Sequence, residues 1–250
     1  MNFYAVIIGT EILNGRREDK HFSFLKKALE KYGHSLFASF VIKDNEALIT
    51  NIFNLIKKDP KSIMFSFGGI GSTPDDLTRA IASTVFRHAP LEVNKNFLQD
   101  IHERFGKEAY PHRIHMAELP PESDLIYNPV NNMSGFSLDE RFFFVPGFPS
   151  MAHPMLESII KKKFNEKKQT FRKTLLADTS ENTLISLMQK VPSNIELSSL
   201  PLFQNDRPKV ELSLLSEDKE LLLKYFQLFE DKLNNLAINY TIQKEKKEIM

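Results

Sequence analysis

The sequence predicts an α/β fold: a mostly parallel sheet with helices on both faces, followed by a small α+β domain. Three observations predict it. Apolar runs at Phe3 to Ile8, Ser62 to Phe67 and Phe142 to Val145 are near-continuous, as in strands covered on both faces. Segments with apolar residues at helical spacing alternate with strand-like runs, which implies βαβ units with right-handed crossovers. Beyond a lysine-rich stretch at Lys161 to Lys168 the pattern changes to β-α-β-β-α. We place the two domains at residues 1–163 and 164–250.

In order along the chain, the first strand ends at Gly9-Thr10-Glu11, which sets a carboxylate just past a strand end, the edge where open α/β sheets hold ligands. From position alone, the reading of Glu11 as a solvated loop residue is the stronger one. Phe22, Leu25, Leu29 and Tyr32 predict a helix stopped by Gly33. A strand follows around Ser39 to Ile42, then Lys43-Asp44-Asn45, then a helix marked by Leu48, Ile52, Leu55 and Ile56 and ended by Asp59-Pro60. After the third strand, Leu77, Ile81 and Val85 mark another helix. From Asn94 to about Leu119 the pattern is helical and polar, interrupted at Pro111. His112 and His115 there are spaced i, i+3, which could offer two ligands on one helix face, but no acidic or third histidine partner is evident nearby, so they read as surface histidines. Leu125 to Tyr127 and Phe142 to Val145 read as strands. The second runs into Pro146-Gly147-Phe148-Pro149-Ser150, a rigid turn that opens a helix through Met155, Leu156, Ile159 and Ile160.

In the second domain, Phe171 to Ala177, Ile195 to Leu200 and Val210 to Leu215 read as strands. Leu184, Leu187, Met188 and Val191 share one helical face, and Leu222, Phe226, Phe229, Leu233 and Leu236 another. A last short strand is expected near Ile238 to Thr241, and Gln243 to Met250 reads as a mobile charged tail.

The stretch from Phe65 to Thr78 is the centre of the functional reading. Gly68, Gly69 and Gly71 follow a buried strand, and such positions let a ligand approach the backbone closely. Thr73 as N-cap, Pro74 at the first helical position and Asp76 three residues after the cap predict a helix start. Strand, glycine loop and helix N-terminus together make an anion site, although the same pattern serves as an ordinary capped turn. The loop lacks the Gly-Lys-Ser/Thr of a Walker A motif, and Pro74 stands where a dinucleotide fingerprint has its third glycine. Asp75-Asp76 would repel a bare phosphate, so the combination points to a nucleotide or pyrophosphate bound with a divalent cation.

Composition excludes several classes. A net charge of +1 provides no broad basic field for nucleic acid. Zero cysteines remove disulfides, zinc-thiolate sites and cysteine nucleophiles together, and fit a cytoplasmic protein. The N-terminus shows no signal-peptide pattern, and no apolar run approaches the ~18 residues of a membrane span.

Ile8-Gly9-Thr10-Glu11-Ile12-Leu13, Asp44-Asn45, Gly68 to Thr78, Met116-Ala117-Glu118-Leu119-Pro120 and Val145 to Ser150 occur in that order. Together they resemble the molybdopterin-binding (molybdenum-cofactor biosynthesis) domain family, in the form found at the N-terminus of CinA-type competence/damage-inducible proteins. The likeness covers residues 1 to about 160, and residues 169–242 resemble, by element order, the KH-like appendage that follows there. The resemblance implies an α/β sandwich with ligand at the strand ends. In the CinA-type branch it implies metal-dependent cleavage of ADP-ribose or FAD-like nucleotides to AMP. The alternative is molybdopterin binding without turnover, or a role like that of the molybdopterin adenylyltransferases. By motif match Gly69, Gly71, Ser72 and Thr73 would cradle phosphate, Thr10, Gly147 and Ser150 would line the cofactor site, and Asp75 and Asp76 would hold Mg²⁺, Mn²⁺ or Co²⁺. Asp76, Asp75 and Glu11 would be catalytic, and a homo-oligomer, dimer or trimer, is expected, without nucleic-acid or membrane partners. Two departures stand out: Ser72 replaces the family's usual proline, and Arg16-Arg17-Glu18-Asp19-Lys20 replaces an Asn-rich stretch. The amidase domain of full-length CinA-type proteins is not within these 250 residues, and its activity is not carried over.

Overall fold

A computed structural model describes residues 1–166, 169–204 and 207–243. The first unit, Met1–Lys167, runs β1 (Asn2–Ile8), α1 (Thr10–Leu13), α2 (His21–Glu30), β2 (Leu36–Ile42), α3 (Glu46–Lys57), β3 (Ser62–Phe67), α4 (Thr78–Ala82), β4 (Glu92–Val93), α5 (Lys95–Phe105), β5 (Glu118–Leu119), β6 (Asp124–Ile126), β7 (Gly135–Leu138), β8 (Phe142–Val145) and α6 (Pro149–Lys163). Its main sheet has the order β2-β1-β3-β8-β7-β6 among the described residues. The first four strands are parallel, and β7 and β6 continue antiparallel.

Strand alternation divides the core in two. Tyr4, Val6 and Ile8 of β1 join Ile49, Phe53 and Ile56 of α3 and Ile101 of α5 on one face. Phe3, Ala5 and Ile7 join Leu25 and Leu29 of α2 and Met155, Leu156, Ile159 and Ile160 of α6 on the other. The near-continuous apolar runs are therefore two interleaved faces, each with its own helical layer. Phe164, one residue past α6, is buried in this second core against Phe3, Phe65 and Phe143.

Several local expectations are corrected. The helix after the glycine loop starts at Thr78, not at Pro74. Residues Pro74 and Asp75 form a turn instead: Asp76 N donates to Thr73 O, and Thr78 N donates to Gly69 O across the loop rather than to Pro74 O as a helix would require. Strand β7 was not anticipated. It exists because Asp139 and Glu140, both left-handed at φ 54°, make the tight turn that folds it onto β8. Glu118–Leu119, read as the end of a helical stretch, is a strand paired with Glu92–Val93. His115 does have an acidic partner, three residues on: its Nδ1 lies 2.9 Å from Glu118 Oε1.

The second unit, Lys168–Met250, comprises β9 (Phe171–Ala177), α7 (Ile185–Met188), β10 (Glu196–Gln204), β11 (Arg207–Ser216), α8 (Lys219–Asn235) and β12 (Tyr240–Ile242). Its antiparallel sheet has the order β10-β11-β9-β12. Leu175, Ala177, Val210, Leu212 and Leu214 alternate onto the face that Leu222, Phe226, Phe229 and Leu233 of α8 cover. Gln243, assigned to a tail, is bound to the sheet: its N–H donates to Thr174 O and its Nε2 to Glu211 Oε2. The rest of that expected tail, 244–250, lies outside the described residues.

Candidate functional site

The sheet order places a switch point between β1 and β3. The chain leaving β1 enters α2 on one face, whereas the chain leaving β3 enters α4 on the opposite face. Adjacent strands whose connections diverge leave a crevice at their carboxyl ends, and ligands of open α/β sheets bind there. The loops after β1, β2, β3 and β8 all emerge at this edge.

The glycine loop is built by close backbone approach. Gly68 (φ 96°) and Gly69 (φ 68°) are left-handed. A Cβ on Gly68 would overlap the Ile8 carbonyl oxygen, and one on Gly69 would overlap the Thr78 hydroxyl. Gly68 N donates to Val145 O at 3.0 Å, and Thr78 ties the loop's exit, with Oγ1 on Gly68 O at 3.0 Å and N on Gly69 O at 2.9 Å. Gly147 faces Gly68 so closely that a Cβ would come within 3.3 Å of the Gly68 Cα.

The predicted site residues divide into scaffold and free groups. Asp76 Oδ2 accepts from Thr73 N at 2.7 Å and from Thr73 Oγ1 at 2.6 Å, and a Cβ on Gly71 would stand 2.6 Å from the same oxygen. This is the reciprocal half of a capping box without its helix. Thr10 is likewise engaged, its N and Oγ1 donating to Asp44 Oδ2 at 2.8 and 2.9 Å. Glu11 is half-buried and folds its carboxylate over Gly9, where a Cβ would lie 3.1 Å from both oxygens. Asp75 and Ser150 are exposed, and Ser72 is half-buried. The Thr73 hydroxyl and then its own N–H hold the Asp75 carboxyl below its ordinary value.

Among the described residues no three His, Cys, Asp or Glu side chains converge as a ready-made metal cage, so Glu11 does not complete a set with Asp75 and Asp76. A cation at the aspartate pair would have to take most of its coordination from water and ligand oxygens, as Mg²⁺ does. Asp75 is exposed there, and Asp76 has one oxygen, Oδ1, outside the Thr73 bonds.

Three contributors escaped sequence reasoning. Asp44 fixes Thr10 across 34 positions. His21, 3% exposed, sits against the Phe67 ring and donates from Nε2 to Gly147 O at 3.1 Å, and burial pushes its pKa down. Arg79, 7% exposed, donates from Nη1 to His115 O, and its Nε has no hydrogen-bond partner among the described residues. Burial lowers its pKa, while Asp76 and Glu118 oppose that by their charge. An arginine at a helix position facing apolar neighbours was the available signal for the last.

The family described as "Probable molybdopterin binding domain" matches residues 4–166, which is nearly all of the first unit. The chain belongs to that family. Within it, a CinA-like protein of Nostoc punctiforme is 29% identical over 164 residues, 63% of this chain and 39% of its own length. A CinA-like protein of Geotalea daltonii is 26% identical over 240 residues, 92% of this chain and 58% of its own length. The chain therefore spans about two fifths to three fifths of these relatives. The crystal structure of the protein CinA from Thermoplasma acidophilum aligns with a TM-score of 0.58 at 26% identity, covering 64% of this chain and 96% of that one. This is a CinA-type molybdopterin-binding-domain protein, and no helix of its described residues is long and apolar enough to cross a membrane.

Proposed function

We propose that the protein is a metal-dependent nucleotide pyrophosphatase that cleaves ADP-ribose- or FAD-like dinucleotides to AMP, acting in the cytoplasm as a homo-oligomer. The observation that carries the reading is the exposed Asp75 beside the loop-bound Asp76, at the switch-point crevice and against a glycine loop with close backbone approach. Two carboxylates there disfavour a bare diphosphate and favour one that arrives with a divalent cation. When bound, that cation, Mg²⁺, Mn²⁺ or Co²⁺, supplies Lewis acidity to the phosphoryl oxygens and acidifies water.

The chain's own residues do the rest. Gly69 and Gly71 leave the main chain bare for the phosphates, and the Ser72 hydroxyl is a donor toward them. Asp76 keeps the loop closed through Thr73 while presenting Oδ1, and Asp75 provides the second carboxylate. Glu11, at the end of β1, orients the attacking water. Gly147 and Ser150 bound the crevice from the β8 side.

A second reading, binding of molybdopterin without turnover, is favoured by the family match itself. Chromatography of products separates the two. Purified protein is incubated with ADP-ribose, FAD, NADH or coenzyme A and each metal in turn, beside an Asp76→Asn variant. AMP, or adenosine 3′,5′-bisphosphate from coenzyme A, that requires metal and disappears in the variant supports hydrolysis. No cleavage of any substrate refutes it and leaves pterin binding as the reading to test.

A further inference from the structure

Phe148 is a large apolar side chain that the fold leaves 53% exposed. Its backbone is nonetheless fixed on both sides. The preceding Gly147 packs against Gly68 and gives its carbonyl to His21, while the Phe148 carbonyl accepts from Met151 N at 3.0 Å and Ala152 N at 2.9 Å, so that Phe148 caps α6. The ring therefore stands out from a rigid mount at the carboxyl edge of the sheet, beside the glycine loop. The Arg17 guanidinium lies over it, 5.6 Å from the ring centroid. Arg17 comes from the loop after β1, where its N–H donates to Glu11 O at 3.0 Å. Cation and aromatic face thus arrive from the two loops that flank the glycine loop in the sheet order β1-β3-β8.

An exposed phenylalanine is by itself unremarked on protein surfaces. This one differs in being carried on a fixed backbone, paired with a cation, and placed at the strand ends where the glycine loop also opens. Aromatic side chains beside arginine are the usual means of holding a heteroaromatic ring by its face, because every such ring has a π surface and no hydrogen-bond code is needed.

We infer that Phe148 and Arg17 form the platform on which the planar heteroaromatic ring of a phosphate-bearing ligand stacks, with its phosphates directed to the glycine loop. The inference rests on the reading that this crevice takes a phosphate-bearing ligand, and it adds where the ligand's planar ring rests, which that reading left open. Adenine, flavin and pterin share the chemistry, and the arms of the test distinguish them.

The full chain contains no tryptophan, so Phe148→Trp installs a single fluorophore at the platform. The probes are AMP, FMN and a pterin phosphate, with ribose 5-phosphate and inorganic pyrophosphate as ring-free controls. Saturable change in the indole emission of the Phe148→Trp variant by one of the ring-bearing probes, and not by the controls, is expected. By equilibrium dialysis, Phe148→Ala weakens binding of that same probe by about ten-fold or more and leaves ribose 5-phosphate unchanged. Arg17→Ala weakens it in the same direction. Equal binding of the ring-bearing probes to wild type and Phe148→Ala, an emission unmoved by all three, or equal loss of ribose 5-phosphate each overturns the platform. ADP-ribose cleavage in the same preparations keeps the two readings apart. Cleavage with an unchanged KM in Phe148→Ala removes the platform and leaves the hydrolase. Ring-dependent binding without cleavage removes the hydrolase and leaves the platform.

Discussion

Replacing Gly68 with alanine tests whether the glycine loop is held by main-chain crowding, and Gly15→Ala is its internal control. Both glycines are left-handed, at φ 96° and 78°. A Cβ at Gly15 meets nothing within 4 Å, whereas one at Gly68 would enter the space of the Ile8 carbonyl oxygen at the end of β1. Gly15→Ala should therefore carry only the left-handed penalty of an L-residue, about 1 kcal/mol. Gly68→Ala carries the same penalty plus a main-chain displacement comparable to overpacking, about 1–3 kcal/mol more. The loss of unfolded-chain freedom on exchanging glycine for alanine is common to both and cancels in their difference. With a urea slope of about 2 kcal/mol/M, the midpoint should fall by about 0.5 M for Gly15→Ala and about 1.5 M for Gly68→Ala. Far-UV circular dichroism follows the unfolding, and peptide-resolved hydrogen exchange assigns the shift to the first unit. If Gly68→Ala is no more destabilising than Gly15→Ala, the loop is not pressed on β1, and the crevice geometry derived from that contact is wrong.

Phe164→Ala should destabilise the first unit by about 3–5 kcal/mol, because the ring is buried edge-on to Phe3 and Phe65 although it follows the last helix; urea denaturation showing a loss below about 1 kcal/mol would place Phe164 outside the core. His21 and His153 both have pKa values pushed below the ordinary 6.5, in each case mainly by burial, with Asp19 facing both and Glu157 facing His153. Below pH 6.5 the unfolded chain therefore binds protons that the folded chain refuses. Stability should fall as pH drops under about 6.5 and level off once the folded values are passed. His21 contributes a slope of up to about 1.4 kcal/mol per pH unit. Midpoints measured from pH 8 to 5 should show this in the wild type and a shallower fall in His21→Gln, and a flat wild-type profile contradicts it. Asp76→Asn should also loosen the loop, since Thr73 N and Oγ1 lose a charged acceptor. Faster hydrogen exchange at residues 71–77 reads this out, and unchanged exchange would show that the aspartate does not organise the turn.

What the sequence determined by itself is the set of elements whose identity depends on local periodicity. Strands β1, β3 and β8 are legible as unbroken apolar runs because both of their faces meet helices. Helix α3 is legible from the spacing of its apolar residues, and Asn45 caps it through Leu48 N. The glycine loop and its aspartates were visible as a motif, since residue type and spacing carry that signal without knowledge of neighbours. Tertiary structure decided the rest. Whether Thr73 begins a helix or a turn depends on where the Thr78 N–H finds its acceptor, and it finds Gly69 O across the loop; the two outcomes share one sequence. Strand β7 exists only through its pairing with β8 and β6. Thr10 finds Asp44 34 positions away, and Gly147 finds His21 126 positions away. Periodicity states which face a residue takes within its own element. It holds no information on which distant element covers that face, and that choice is made by packing the whole chain at once.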